Sequence, residues 1–213
     1  MRAVIWTLPV DLGAVGADFA AGCTYKYLNG GPGAPAFLYV APRHADRALA
    51  ALSGWMGHAK PFAFELDYAP ARGVERMRVG TPPVLAMAAL EASLDIWDRI
   101  DMGEVRARSL ALADRLIDEV ERRCPTLKLV TPRVHDQRGS QISFAFEGGY
   151  AAMQALIARG VIGDFRAPDI MRFGIAPLYI GEEEGMKAAE MIDEVINSEV
   201  WRRPEYQIVN AVT

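Results

Sequence analysis

The segment 22–35 constrains the fold and the chemistry of this chain more than any other part of it. It reads Gly-Cys-Thr-Tyr-Lys-Tyr-Leu-Asn-Gly-Gly-Pro-Gly-Ala-Pro, so Lys26 lies between two tyrosines and ahead of a glycine-rich turn. Such a turn between two short apolar runs predicts a strand, a tight connection and a second strand. The fold must therefore present a lysine beside a turn whose backbone amides can bind an anion.

Lys26 is a candidate for covalent chemistry with an aldehyde, through a Schiff base. An amine attacks an aldehyde only after it loses its proton, and burial or a nearby cation favours that loss in a lysine. Four apolar neighbours predict such burial: Ala20, Ala21, Cys23 and Leu28. Taken alone, however, a lysine at this place is more often a surface residue at the end of a strand.

The composition narrows the class of partner. A net charge of -4 and a pI near 5.5, with no basic stripe, argue against nucleic acid. No apolar run reaches the roughly 20 residues that a membrane-spanning helix needs. The two cysteines, Cys23 and Cys124, lack metal-ligand spacing and are too few for a disulfide framework, so we expect no metal site and a reducing cytoplasm.

The hydrophobic pattern predicts a first domain over residues 1–100. Its predicted elements are strands over 3–6, 18–23 and 36–40, the last two buried, a helix over 42–52, and a long irregular stretch over 53–79. Thr81 precedes two prolines and is placed to cap a connecting helix that runs to about Ile100.

A second domain of the α+β type is predicted over residues 101–213. It opens with an amphipathic helix over 102–123, which the Cys124-Pro125 pair ends. Beyond that helix the pattern predicts strands over 127–130, 141–146, 161–164 and 170–175, and helices over 150–159 and 181–198.

Several motifs resemble kynureninase, a hydrolase that depends on pyridoxal 5'-phosphate (PLP) and has the aspartate aminotransferase-like fold (fold type I). They are the segments 22–35, 52–58, 80–81, 138–140, 160–166 and 170–174, and the similarity runs in order from Ala3 to Thr213. The resemblance implies an α/β fold: part of a PLP-transferase large domain, with the end of its mixed sheet, followed by a small carboxy-terminal α+β domain.

The resemblance also assigns roles to five residues. Lys26 is similar to the lysine that forms the Schiff base with PLP, and Tyr25 to a tyrosine that touches the cofactor phosphate and donates a proton. Trp55 and Thr81 match phosphate-contacting positions, the threonine coming from the other subunit of a dimer. Arg172 matches the arginine that binds the substrate carboxylate. Without the resemblance, Tyr25 would be a half-buried strand tyrosine, Trp55 a core residue, Thr81 a helix cap and Arg172 half of a structural ion pair.

The implied reaction is hydrolysis of a carbon–carbon bond in L-kynurenine or 3-hydroxykynurenine. The products are anthranilate or its 3-hydroxy form and L-alanine, which places the chain in tryptophan catabolism and NAD biosynthesis as a homodimer. His58 closes the tryptophan motif, but neither the residues nor the resemblance gives it a role.

The chain departs from the family at its beginning and in its length. Family members are much longer, and between Trp6 and Pro9 they carry a loop with an aspartate that pairs with the pyridinium nitrogen of PLP. Asp11 and Asp18 align with other positions and do not replace it. We therefore expect a truncated chain whose amino-terminal half is either encoded elsewhere or lost, and which self-associates or needs a partner.

Two alternative functions remain open at this stage. The chain could be another PLP enzyme of the same fold, such as an aminotransferase or a cysteine desulfurase. Cys124 is the one cysteine after Cys23, and this opposes a desulfurase, which needs a catalytic loop cysteine. The other alternative is an inactive remnant that serves as a dimerising or binding module.

Overall fold

The computed structural model describes residues 8–208, and the chain divides into two compact units, Met1–Ile100 and Asp101–Thr213. The strand predicted over residues 3–6 lies outside the described residues. So does most of the segment between Trp6 and Pro9, where the resemblance predicts that the family's aspartate loop is absent.

The first unit is built on a two-stranded antiparallel ribbon. Strand β1 (Phe19–Cys23) pairs with β2 (Ala36–Val40), and the register runs from Phe19 opposite Val40 to Cys23 opposite Ala36. This confirms the predicted strand, turn and strand. The predicted burial of both strands is wrong, because each has one pairing partner in the described part of the chain. Phe19 is 54% exposed and Leu38 is 47% exposed.

The helices of the first unit are shorter than predicted. Helix α1 (Pro42–Ala45) ends after one turn because Asp46 turns its carboxylate to the backbone N–H of Gly73, at 2.7 Å. Helix α2 (Val84–Trp97) has Pro83 as its N-cap, so Thr81 does not cap it. The helical conformation is disfavoured for a residue that precedes a proline. Pro82 precedes Pro83, so Pro82 does not join the helix, and the helix starts after Pro83. Between α1 and α2 the chain is irregular, with short 3-10 helices over Trp55–Gly57 and Gly73–Met77.

The second unit packs three longer helices around an antiparallel sheet with the strand order β3-β4-β6-β5. The strands are β3 (Lys128–Leu129), β4 (Gln141–Ala145), β5 (Asp164–Arg166) and β6 (Ile170–Gly174). The helices are α3 (Met102–Arg123), α4 (Gly149–Ile157), α5 (Glu182–Asn197) and the short α6 (Pro204–Gln207). The strand predicted over 161–164 is displaced, since β5 begins where Asp164 comes opposite Arg172.

The core of the second unit explains why α3 keeps its predicted bounds. Asp101 caps the helix by accepting a hydrogen bond from the N–H of Glu104. From there one apolar side faces the sheet, where Phe144 and Met171 are fully buried against Ile117. Leu110 and Leu112 are half-buried, because Ser109 and Ala113 occupy the buried positions of the helix.

The two cysteines differ in burial, and we expect them to differ in reactivity. Cys124 is fully buried in the core, and burial raises the pKa of its thiol to about 11. Cys23 is half-buried on β1. A thiol reagent at pH 8 should therefore modify Cys23 in the native chain and Cys124 only after unfolding, because the thiolate is the reacting form. Mass spectrometry after limited labelling would show this, and rapid modification of native Cys124 would contradict the packing of the core.

Candidate functional site

Lys26 lies in the turn that joins β1 to β2 and is exposed. The N–H of Asn29 donates to the carbonyl of Lys26 at 2.9 Å, and the N–H of Gly30 donates to the carbonyl of Thr24 at 3.0 Å. These bonds direct the lysine side chain outward, so the predicted burial of Lys26 is wrong although Leu28 is buried. The amine lies 5.2 Å from the centre of the Tyr25 ring, within the range of a cation–π contact.

The glycine-rich part of the turn provides the backbone that was predicted to bind an anion. Gly31 and Gly33 have φ values of 78° and 85°, which favour glycine because a side chain is strained there. Helix α2 fixes the turn in place: the Ser93 hydroxyl and the Trp97 indole N–H both donate to the carbonyl of Leu28. The position of the lysine turn therefore depends on α2.

Trp55 lies close to the segment that leads to Thr81. It begins a 3-10 helix, is 46% exposed, and meets the edge of the Phe62 ring with 5.6 Å between centroids. Gly54 packs against the backbone of Val79 so closely that a Cβ on Gly54 would lie 1.8 Å from the Val79 carbonyl oxygen. Thr81 follows two residues later and is exposed.

This contact makes Gly54 sensitive to substitution. We expect Gly54→Ala to lower the free energy of unfolding by about 1–3 kcal/mol, because the added methyl must displace the Val79 backbone. Gly80→Ala is the matched control, since a Cβ on Gly80 would meet no atom within 4 Å. Urea denaturation of both variants measures the difference. Equal stability of the two would show that residues 54 and 79 are not in close contact.

Arg172 lies on β6 in the second unit, directly opposite Asp164 on β5. Its Nη2 donates to the Asp164 carboxylate, which also lies 3.3 Å from the Arg166 guanidinium. The Arg172 Nε is buried and has no hydrogen-bond partner in the described part of the chain. Sequence reasoning assigned no role to Asp164, because its position opposite Arg172 depends on the register of β5 and β6.

The structure thus places the five predicted site residues in three places. Tyr25 and Lys26 share the turn, while Trp55 and Thr81 flank the contact between Gly54 and Val79. Arg172 belongs to the other unit.

The carboxylates of the two aspartates near the start of the described chain, Asp11 and Asp18, both accept hydrogen bonds. The hydrogen bond from His44 and then that from Arg43 hold the pKa of Asp18 below its usual value. The Asp11 carboxylate accepts the N–H groups of Gly13 and Ala14 at 2.8 and 3.0 Å. Neither carboxylate is therefore free to pair with the pyridinium nitrogen in place of the aspartate that the resemblance predicts to be absent.

Residues 8–208 contain neither a candidate metal site nor a candidate membrane-spanning helix. No group of three or more histidine, cysteine, aspartate or glutamate side chains there could hold a metal ion. No helix in that range is both long enough and apolar enough to cross a membrane.

Comparison with known proteins identifies sequence relatives over nearly the whole chain. Residues 105–192 match the family model described as the kynureninase C-terminal domain. Kynureninase from Pseudomonas fluorescens is 48% identical over 208 residues, which is 97% of this chain and 50% of the relative. Kynureninase from Burkholderia pseudomallei (strain K96243) is 50% identical over the same shares. The chain spans about half the length of the curated relatives it matches.

Solved structures resemble the chain at much lower identity. The cysteine desulfurase from Thermococcus onnurineus NA1 has a TM-score of 0.74 and 19% identity over 90% of this chain and 50% of its own. The alanine–glyoxylate aminotransferase from Nostoc sp. has a TM-score of 0.66 and 18% identity over 91% and 52%. At this identity the matches show the fold, and they confirm the predicted fold class.

Proposed function

The chain belongs to the kynureninase family, and we propose that it forms the carboxy-terminal half of a PLP-dependent hydrolase that cleaves L-kynurenine or 3-hydroxykynurenine. The products would be anthranilate or 3-hydroxyanthranilate and L-alanine. The observation that carries this proposal is the identity of 48 to 50% over 97% of the chain. The aminotransferase and desulfurase alternatives are less well supported, because solved structures of those enzymes are 18 to 20% identical to this chain.

The residues of the first unit fit PLP in their chemistry. Lys26 would hold the cofactor covalently, and its amine forms no ion pair with a carboxylate in the described part of the chain. Tyr25, Trp55 and Thr81 offer a phenol, an indole N–H and a hydroxyl for the phosphate, and all three are exposed. When bound, PLP would supply the electron sink that stabilises negative charge next to the substrate amine.

The chain's own residues would bind the substrate and move its protons. The Arg172 guanidinium, whose Nη2 donates to Asp164 in the structure, would pair with the substrate carboxylate in place of that aspartate. The Lys26 amine would take the proton from the α-carbon and return it to that carbon before alanine leaves. Water would add to the side-chain ketone, and its oxygen would remain in the carboxylate of anthranilate after the bond breaks. The Tyr25 hydroxyl would then donate the proton that completes the methyl group of alanine.

The exposed apolar surface of helix α2 indicates that the first unit has a binding partner. Its residues are mostly apolar, with Glu91 and Asp95 as the two charged ones, yet Ser93 is its one buried residue, while Val84 is 66% and Leu85 90% exposed. A helix of this composition is normally covered. We propose that a second copy of this chain or a complementing amino-terminal half covers it. Sedimentation should show a dimer or a complex with that half. A stable monomer in the presence of the half would refute this.

Turnover of L-kynurenine tests the proposed activity. The chain would be incubated with PLP and L-kynurenine, alone and after coexpression with the amino-terminal half of the Pseudomonas fluorescens relative, and anthranilate would be followed by its fluorescence. We expect product in the complemented sample. Bound PLP without product in either sample would reject the activity and favour the inactive remnant.

The free thiols Cys23 and Cys124 support a reducing cytoplasm as the location.

A further inference from the structure

His58 is a buried histidine whose two ring nitrogens have different partners. The backbone N–H of Lys60 donates to its Nδ1 at 2.9 Å, and its Nε2 lies 3.2 Å from the carbonyl oxygen of Asp67. A carbonyl oxygen can only accept, so Nε2 must carry the proton, and Nδ1 must be free of one in order to accept. The contacts therefore specify a neutral imidazole in the Nε2–H tautomer.

The ring of His58 joins the two arms of residues 58–70, which we call the aromatic loop. Its arms are also paired by the N–H of Ala59, which donates to the carbonyl of Ala69 at 2.7 Å, and by the bridge between His58 and Pro70. The edge of Tyr68 packs on the imidazole with 5.7 Å between ring centroids, and its hydroxyl donates to the carbonyl of Gly57. The imidazole is thus the side chain that links Lys60 on one arm to Asp67 on the other.

The far end of the aromatic loop has no core beneath it. Phe62, Phe64 and Leu66 are 73%, 87% and 104% exposed. The shape of this end therefore depends on hydrogen bonds between the arms and not on burial. Phe62 nevertheless supplies the edge contact to Trp55, and Trp55 and His58 line the same cavity of about 410 Å³.

We infer that His58 is a positioning residue that fixes the indole of Trp55 by holding the arms of the aromatic loop together. If the link from Lys60 to Asp67 is lost, the arms separate and Phe62 leaves the indole. Trp55 then lacks its packing partner on this side. The consequence for the cofactor phosphate rests on the proposed function, whereas the consequence for the indole does not.

The orientation of Trp55 can be measured without any cofactor. The chain would be labelled with 5-fluorotryptophan and observed by fluorine NMR, with the Trp55 resonance assigned by Trp55→Phe. We expect His58→Leu to shift or broaden the Trp55 resonance and to leave those of Trp97 and Trp201 in place. An unchanged Trp55 resonance would overturn the inference.

Two conservative variants keep the inference testable if His58→Leu unfolds the first unit, which a shift of the Trp97 resonance would reveal. His58→Asn keeps an acceptor near Nδ1, and His58→Gln keeps a donor near Nε2. Each should disturb Trp55 less than leucine does, because one arm stays bound. If both variants move Trp97 as much as Trp55, His58 is a general stabilising residue and the inference fails.

The binding of PLP to the complemented protein provides the second readout. We expect His58→Leu to raise the Kd for PLP about tenfold, the effect of losing one hydrogen bond to a charged group. Trp55→Phe should have a similar effect, and the double variant should add little, because both changes remove the same contact. Additive effects would show that His58 does not act through Trp55. If the wild-type protein fails to bind PLP, the proposed function fails, while the NMR result still decides the role of His58.

Discussion

Replacing Lys26 by alanine is expected to abolish covalent retention of PLP and with it the hydrolysis of L-kynurenine. Alanine has no amine to bond to the cofactor aldehyde and none to remove the α-proton of the substrate. Loss of the proton transfer alone would lower kcat by about 10²- to 10⁴-fold. The measurement is the visible absorbance of protein-bound PLP after desalting, made on the chain complemented by the amino-terminal half, followed by the rate of anthranilate release.

Lys187→Ala is the control for this variant. Lys187 is also exposed, but it lies on α5 in the second unit, where its amine pairs with Glu183 at 2.6 Å. An exposed pair of this kind contributes little, so PLP retention and turnover should change less than about twofold. If Lys26→Ala retained the absorbance band, or if Lys187→Ala lost it, the assignment of Lys26 would be wrong.

Replacing Asp114 by alanine is expected to destabilise the second unit by about 3 kcal/mol. Asp114 on α3 accepts a hydrogen bond from Nη2 of Arg138, whose side chain is 1% exposed. The Arg138 Nε and Nη1 are buried and have no hydrogen-bond partner in the described part of the chain. Without Asp114 a buried cation is left uncompensated, which costs several kcal/mol, and we take the lower end because Asp114 is 40% exposed. Urea denaturation measures the loss.

Asp118→Ala is the control on the same helix. Asp118 pairs with Arg133 and is 69% exposed, so its loss should change stability by less than about 1 kcal/mol. Both substitutions bring the same gain in helix propensity, so their difference measures the contacts of Asp114 with Arg138 and His135. Equal stabilities would mean that Arg138 does not need its partner.

The cost of Asp114→Ala should also depend on pH. Burial acts to raise the pKa of Asp114, but the hydrogen bonds from Arg138 and His135 outweigh it and hold the pKa below the usual value. A carboxyl group whose pKa is lower in the folded chain than in the unfolded chain stabilises the fold. This stabilisation is full at a pH above the unfolded pKa, near 3.9, and it is lost as the pH falls through the folded pKa. The difference in the free energy of unfolding between wild type and Asp114→Ala should therefore have its full size at pH 7 and become smaller below about pH 4.

Local chemistry explains which parts of the fold could be predicted. The bounds of α3 follow from a capping aspartate at residue 101, an apolar side and a proline at 125, all of which are local signals. The helix predicted over 42–52 failed because Asp46 bonds to Gly73, which lies 27 residues away. The cap predicted at Thr81 failed because two successive prolines shift the helix start. Long-range contacts of this kind leave no periodic signal.

In the candidate site, too, local features could be predicted from the sequence, whereas features that depend on long-range contacts could not. Lys26 could be singled out from its own neighbours, but its exposure was decided by backbone bonds of the turn and by α2. The clustering of Trp55 near Thr81 required Gly54 to meet Val79. The pairing of Arg172 with Asp164, and the role of His58, needed strand register and loop closure that no spacing in the sequence encodes.

The sequence by itself determined the family resemblance, the order of most elements and the candidate residues for chemistry, since these depend on residue type and local pattern. The tertiary structure alone decided which charges are paired, which apolar faces stay exposed and which side chains orient others. Those properties arise from contacts between residues far apart in the chain, and burial and hydrogen bonding are set by such contacts.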